Sequence, residues 1–274
     1  MNRLDARFAA LKADGRAGFV AYVMAGDPDL AKGAAILNGL PAAGADVIEV
    51  GFPFSDPMAE GPLIQVASQR ALAAGMTLAR TLAMVTDFRA GEALTPVVLM
   101  GYLNPVLSYG YARFAADAAA AGVDGLIVVD CPPEEADELT DELEANGIAL
   151  IRLAAPTTDD ARLKVVARRT AGFVYYVSVA GVTGVKEADE AAAAPAVERI
   201  RKATGLPVAV GFGIRTPERA AAIARIADAA VVGSALVEVI AQAQETGEDG
   251  VSGVLALVSE LSAAVRGARV LKKA

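Results

Sequence analysis

The sequence predicts a (β/α)8 TIM barrel. Three observations lead there. Eight short apolar runs recur along the 274 residues. Helical segments lie between them. The last two runs end in glycines, on the side where this fold carries its sites.

Each run is continuous rather than alternating, as expected for parallel strands buried on both faces. In order they are GFVAYVM (18–24), DVIEVG (46–51), PVVLMGY (96–102), GLIVVD (125–130), ALIRLA (149–154), FVYYVSV (173–179), PVAVGFG (207–213) and AAVVGSA (229–235). Between them LAKGAAILNGLPAAG (30–44), YARFAADAAAAG (111–122), PEEADELTDELEANG (133–147) and TPERAAAIARIAD (216–228) read as helices. Several close on glycine, the common helix stop. Thr216-Pro217 and the PTTDD of 156–160 are N-cap signals. The N-terminal MNRLDARFAALKADGR reads as an extra amphipathic helix and lacks a signal peptide's apolar core. The connections after strands 2 and 6 are extended, and both leave the C-terminal face, where active-site loops belong. Residues 1–274 read as one barrel domain. The competing fold is an open doubly wound sheet, but no GxGxxG follows the first strand and no linker divides the chain.

Composition narrows the chemistry. The chain is 54% hydrophobic, with a mean hydropathy of +0.42, so a large core is available. No apolar run approaches the roughly 20 residues that span a bilayer. A single cysteine excludes an intrachain disulfide and fits a cytoplasmic protein. The net charge of −8 argues against nucleic acid as a partner. A phosphorylated small molecule remains compatible, because backbone N–H groups at helix N-termini bind phosphate without Lys or Arg. There is no histidine, which excludes histidine general-base chemistry and the usual zinc sites. Acid–base work then falls to carboxylates, tyrosines or lysines.

The strand ends carry the candidates. Glu49 lies near the end of strand 2. Side chains alternate, so Val47, Glu49 and Gly51 share one face, and Ile48 and Val50 the other. With the aliphatic pair packed on the helices, Glu49 points into the barrel mouth, where desolvation raises its pKa. A carboxylate held by a structural hydrogen bond is the plainer alternative. Glu60 precedes Gly61-Pro62, where a helix begins; it reads either as a second catalytic acid or as a first-turn acid favouring the helix dipole. Asp56, in SDP, also reads as a turn residue. Gly211-Phe212-Gly213 after strand 7 and Gly233-Ser234 after strand 8 form the phosphate signal of this fold, or merely tight turns. Gly181 and Gly184 sit in a third glycine-bearing loop, either a mobile lid or ordinary surface. Of Tyr175 and Tyr176, at most one faces the barrel interior. Cys131 reads as structural. Lys186, on a loop, is poorly placed for a Schiff base.

Taken together, EVGFPFSDPMAEGPLIQ (49–65), MAGDP (24–28), LMGYLNP (99–105), VSVAGVTG (177–184), GFGI (211–214) and VVGSALV (231–237) resemble the tryptophan synthase alpha chain family, collinearly over all eight barrel units. The resemblance implies a retro-aldol cleavage of indole-3-glycerol phosphate to indole and glyceraldehyde 3-phosphate. It places the family's general acid–base on Glu49 and its second carboxylate, facing the indole N–H, on Glu60. Tyr175 matches a tyrosine near the substrate. Thr183 matches a lid threonine. Gly184, Gly213, Gly233 and Ser234 match phosphate-binding positions, beside Phe212. Tyr22 and Met100 match the indole pocket. Asp56 and Asn104 match positions facing the beta chain, which receives the indole in an alpha2beta2 assembly and holds pyridoxal phosphate, so that no cofactor is implied on this chain. Three positions depart from the family: Glu60 stands where aspartate is usual, Val179 where many members have arginine, and Tyr22 where phenylalanine is also found. Two other readings stay open. A phosphosugar isomerase on the same barrel leaves the SDPMAEGP loop unexplained. A non-catalytic, phosphate-ligand-binding regulatory subunit has only the Glu60 departure in its support.

Overall fold

The structure is a computed structural model that describes residues 2–177, 190–211 and 213–269. Its strands are β1 (Gly18–Met24), β2 (Val47–Gly51), β3 (Val97–Gly101), β4 (Gly125–Val128), β5 (Ala149–Ala154), β6 (Val174–Val177), β7 (Val208–Gly211) and β8 (Ala229–Val232). They are parallel and close into a barrel in chain order, with β8 pairing back onto β1. This is the predicted (β/α)8 architecture.

The helices surround the sheet. α1 (Arg3–Ala13) precedes the barrel and α2 (Leu30–Ala43) follows β1. α3 (Pro62–Ala73) and α4 (Leu78–Gly91) follow β2, and α5 (Leu103–Tyr109) and α6 (Tyr111–Ala121) follow β3. A 3-10 turn (Pro133–Glu135) and α7 (Asp137–Ala145) follow β4, and α8 (Asp160–Ala167) follows β5. α9 (Glu190–Thr204) leads into β7, α10 (Pro217–Ile226) joins β7 to β8, and α11 (Ser234–Thr246) and α12 (Val251–Gly267) complete the described chain. The expected N-caps hold: the Thr216 side chain accepts from the Arg219 N–H, and that of Asp159 from the Arg162 N–H. The helix expected over 133–147 is instead broken at Ala136, whose φ of −97° and ψ of 0° join the 3-10 turn to α7. The extended loop after β2 is present as residues 52–61. The segment after β6, with Val179, Gly181, Thr183, Gly184 and Lys186, lies outside the described residues, as does Phe212.

Alternation along the strands sorts the core into two shells. Val20, Val47, Val98, Ile127 and Ile151 fill the barrel, and Leu4, Phe8 and Leu11 of α1 join them. Leu4 and Leu11 stand within van der Waals reach of any side chain placed at Gly125 or Gly18, which open β4 and β1. The extra N-terminal helix therefore plugs the bottom of the barrel. Ile48, Val50, Leu99 and Leu126 pack outward against the helices.

Aspartates pin that bottom end. Asp46, Asp124 and Asp228 each immediately precede a strand (Asp46 β2, Asp124 β4 with Gly125 next, Asp228 β8). Each accepts from a backbone N–H of the preceding strand region, at Phe19, Val97 and Val208. Arginines neutralise them: Arg16 binds Asp46 through two nitrogens, at 2.9 and 2.8 Å, and Arg3 and Arg89 both bind Asp124. Charges buried this deeply persist when paired and hydrogen-bonded. With the bottom locked by this framework, the opposite rim is left for the site.

Candidate active site

Glu49 is the central residue of the five in β2, deeper than a position at the strand end. It shares the inward face with Val47, as alternation requires, and is 1% exposed. Its Oε2 is buried without a hydrogen-bond partner among the described residues. Burial, reinforced by the nearby charge of Glu60, pushes the Glu49 carboxyl up to about 8. The side chain therefore holds its proton at neutral pH, and at Oε2 no described residue supplies the structural hydrogen bond that would have made it a bland core acid.

Glu60 is buried as well, at 8% exposure. The residue after it, Gly61, is the N-cap of α3, so Glu60 lies ahead of the first turn and is not placed as a first-turn acid. The loop that carries it is anchored at several points. The Tyr102 hydroxyl accepts from the Ala59 N–H at 2.9 Å, and the Gln65 side chain donates to the Glu60 carbonyl at 2.9 Å. Ser68 of α3 accepts from the Phe54 N–H and donates to the Phe54 carbonyl. Arg70 of α3 reaches across to Asp27 in the loop after β1, through two bonds of 2.7 and 2.9 Å. A buried, two-point arginine–carboxylate contact fixes orientation as well as distance.

Two tyrosines frame the carboxylates. Burial and the charges of Glu60 and Glu49 hold the Tyr22 hydroxyl well above its ordinary value, and burial with the same two charges does so for Tyr175. Both phenols stay neutral and can donate. Tyr175 packs with the barrel interior and Tyr176 with the outer shell, as the one-of-two expectation required. The Tyr22 hydroxyl makes no hydrogen bond to a described residue. It lies over Gly51, where a Cβ would stand 2.3 Å from its oxygen.

These side chains border one cavity of about 560 Å3, open mouth included. Glu49, Glu60, Tyr22, Tyr175 and Met100 line one part, and Gly213, Gly233 and Ser234 another. Gly213 has a φ of +67°, a conformation that favours glycine. Gly233 caps α11 without a side chain; the Leu236 and Val237 N–H groups both bond its carbonyl, which leaves those of Ser234 and Ala235 without an intrahelical acceptor. That end is suited to an anion. The structure thus unites eight of the residues expected from sequence. Thr183, Gly184 and Phe212 lie outside the described residues. Asp56 and Asn104 are exposed and stand apart from the cavity lining.

The cavity also holds Ile64, Ile214, Arg215 and Val231, which sequence reasoning missed. Ile214 and Arg215 directly follow Gly213, so the rule that placed the phosphate end after strand 7 extends to them. Arg215 is the one cation among the described lining residues and is ion-paired to Glu238 of α11. Nothing in the local pattern marks Ile64 or Val231.

An eight-stranded barrel that gathers a proton-holding carboxyl, a second buried acid and the opening N–H groups of α11 in one cavity has the make-up of a barrel enzyme. Comparison with known proteins gives the family. The family model described as tryptophan synthase alpha chain matches residues 8–266. The tryptophan synthase alpha chain of Caulobacter vibrioides is 71% identical over 269 residues, covering 98% of both chains. That of Phenylobacterium zucineum is 68% identical, covering 97% of this chain and 96% of the relative. Among solved structures, tryptophan synthase subunit alpha from Legionella pneumophila superposes with a TM-score of 0.90 at 41% identity, covering 97% of this chain and 98% of that one. The chain belongs to the tryptophan synthase alpha chain family, whose lyase-type role lies in tryptophan biosynthesis. The isomerase and regulatory readings are not favoured.

Proposed function

We propose that the chain cleaves indole-3-glycerol phosphate into indole and glyceraldehyde 3-phosphate. One observation carries the reading: Glu49 is buried, unpartnered at Oε2 and protonated at neutral pH, in the same cavity as Glu60. Glu49 gives its proton to the indole ring carbon that bears the side chain. The carbon–carbon bond breaks, its electron pair returning to the ring. The hydroxyl on the departing carbon becomes the aldehyde, and its proton goes to the Glu49 carboxylate, restoring the acid. Protonating the ring places positive charge on the indole nitrogen, and Glu60 faces that N–H to stabilise it. Its extra methylene, relative to the usual aspartate, lengthens the reach and keeps the charge. Tyr175 donates its neutral hydroxyl beside the reacting atoms. The phosphate sits on Gly213, Gly233 and Ser234, and Arg215 turns from Glu238 toward it. This chemistry needs no cofactor on the chain.

The beta chain, holding pyridoxal phosphate, takes up the indole in an alpha2beta2 complex. Its docking face is the rim that carries Asp56 and Asn104. That rim also exposes Met58 at 82% and Leu107 at 56%, apolar groups suited to cover by a partner. Among the described residues no helix is long and apolar enough to cross a membrane. The test is glyceraldehyde 3-phosphate release from indole-3-glycerol phosphate, with and without beta chain. Release that rises with the beta chain supports both the reaction and the partner; no release in either condition, from folded protein, overturns the reading.

A further inference from the structure

Arg152 has no role in the chemistry above and no hydrogen-bond or ion-pair partner among the described residues. It lies in β5 at 6% exposure, on the outward face it shares with Leu150, while Ile151 between them packs into the barrel. Its Nε is fully buried with nothing to bond to, and no hydrogen bond or ion pair joins its guanidinium to any described residue. The neighbouring acids are engaged elsewhere: Glu134 with Arg162, Asp137 with Arg168 and Arg169, and Asp130 with the Leu103 N–H. A guanidinium keeps its charge at any physiological pH, and burying a charge without a partner costs several kcal/mol. Arginine is also the side chain best shaped to take a planar or tetrahedral oxyanion through two parallel N–H groups.

The group borders a cavity of about 800 Å3, open mouth included, between the loop after β4 and the start of α8. Cys131, Thr158 and Arg162 share its lining, with Val128, Leu150 and Val166 as apolar wall. It has no lining residue in common with the cavity at Glu49. We propose that this cavity is a second ligand site, in which Arg152 binds a small oxyanion, a phosphate or a carboxylate, from solution. The anion supplies the counter-charge that the fold omits. Arg162, at the mouth and tied to Glu134, adds a second cation toward which the ligand is drawn.

Cys131 makes the site testable, because it is the only cysteine of the chain and lines this cavity. Its alkylation is followed in the full-length protein with neutral iodoacetamide and with anionic iodoacetate. Titrations with orthophosphate and, separately, with acetate are expected to slow iodoacetamide labelling saturably, and the anion that protects at lower concentration identifies the ligand class. Arg152→Met, checked for folding by circular dichroism, is expected to abolish that protection. It should also lower the iodoacetate-to-iodoacetamide rate ratio by about tenfold, the loss of one nearby attractive charge. The ratio cancels any change in thiol acidity. If the variant fails to fold, the wild-type titrations decide alone. The proposal is overturned if neither anion slows labelling of the wild-type protein, or if Arg152→Met is protected as well, which would place the anion elsewhere, as at Ser234.

Discussion

The hydroxyl of Tyr175 on β6 occupies the space above Gly211 on β7: a Cβ at Gly211 would stand 2.1 Å from that oxygen and 2.7 Å from the ring carbon bearing it. The two strands are paired, Tyr175 opposite Ala209 and Val177 opposite Gly211. The ring leans along the neighbouring strand toward the rim, and only a missing side chain admits it. Gly211→Ala is therefore expected to push Tyr175 out of place. Overpacking of this kind costs about 1–3 kcal/mol, and kcat should fall with it. Removing the hydroxyl relieves the nearest clash, so Gly211→Ala with Tyr175→Phe should lose less stability than the sum of the two single changes. A urea-denaturation double-mutant cycle measures this; strict additivity would contradict the contact.

Glu49→Gln is expected to abolish turnover while leaving orthophosphate binding intact, since the amide keeps the shape and cannot exchange the proton. Retained turnover would sink the proposed chemistry.

The same residue sets a pH dependence. Its carboxyl titrates at about 8 in the folded chain, raised by burial and then by Glu60, against an ordinary 4.5. A raised pKa means the native state binds the proton more tightly than the unfolded chain. The resulting stability is complete below about 4.5 and is lost as pH rises through about 8. Wild type should thus lose stability relative to Glu49→Gln across that window, by a few kcal/mol. Parallel stability curves for the two proteins, from pH 4.5 to 8, would show that the carboxyl is not held protonated.

Arg215→Gln should raise KM for the phosphorylated substrate by about tenfold, the worth of one charge-assisted contact, with little change in kcat. Glu238→Gln frees Arg215 from its present ion pair and should lower KM. Steady-state kinetics at two ionic strengths tests both, because the Arg215 contribution weakens as salt rises. A KM unchanged in both variants would remove Arg215 from the phosphate end.

Asp124→Ala should destabilise the barrel without touching the site. The Asp124 carboxylate bonds Arg3 at 2.9 Å, Arg89 at 2.8 Å and the Val97 N–H at 2.9 Å. Its loss leaves Arg89 short of a buried counter-charge, at a cost of about 3 kcal/mol or more. Thermal denaturation and activity below the transition separate the two effects: Tm drops, while kcat per folded molecule holds.

Much of this was legible before any fold was known. Continuous apolar runs mark strands buried on both faces, and all eight runs contain a barrel strand. The period of two alone turned Glu49 inward with Val47. The glycines after strands 7 and 8 marked the phosphate end, because close backbone approach leaves glycine as its trace; Glu60 stayed ambiguous until the family resemblance, which alone carried Tyr22 and Met100. The break at Ala136 escaped, because a 3-10 turn and a helix share one polar, acidic composition. Asp46, Asp124 and Asp228 escaped too, since an aspartate before a strand looks like any turn residue until its arginines are found.

The sequence by itself determined the element order, the face of each strand residue, and the absence of histidine that left carboxylates to do the work. Only the tertiary structure decided which distant groups meet. It set Glu60 beside Glu49 to help hold its proton, brought Arg215 into the same cavity as Gly213 and Ser234, and buried Arg152 without a partner among the described residues. Alternation and helix signals are local, fixed by backbone geometry over a few residues. Desolvation and charge pairing depend on every atom within several ångströms, and closing the barrel decides which atoms those are.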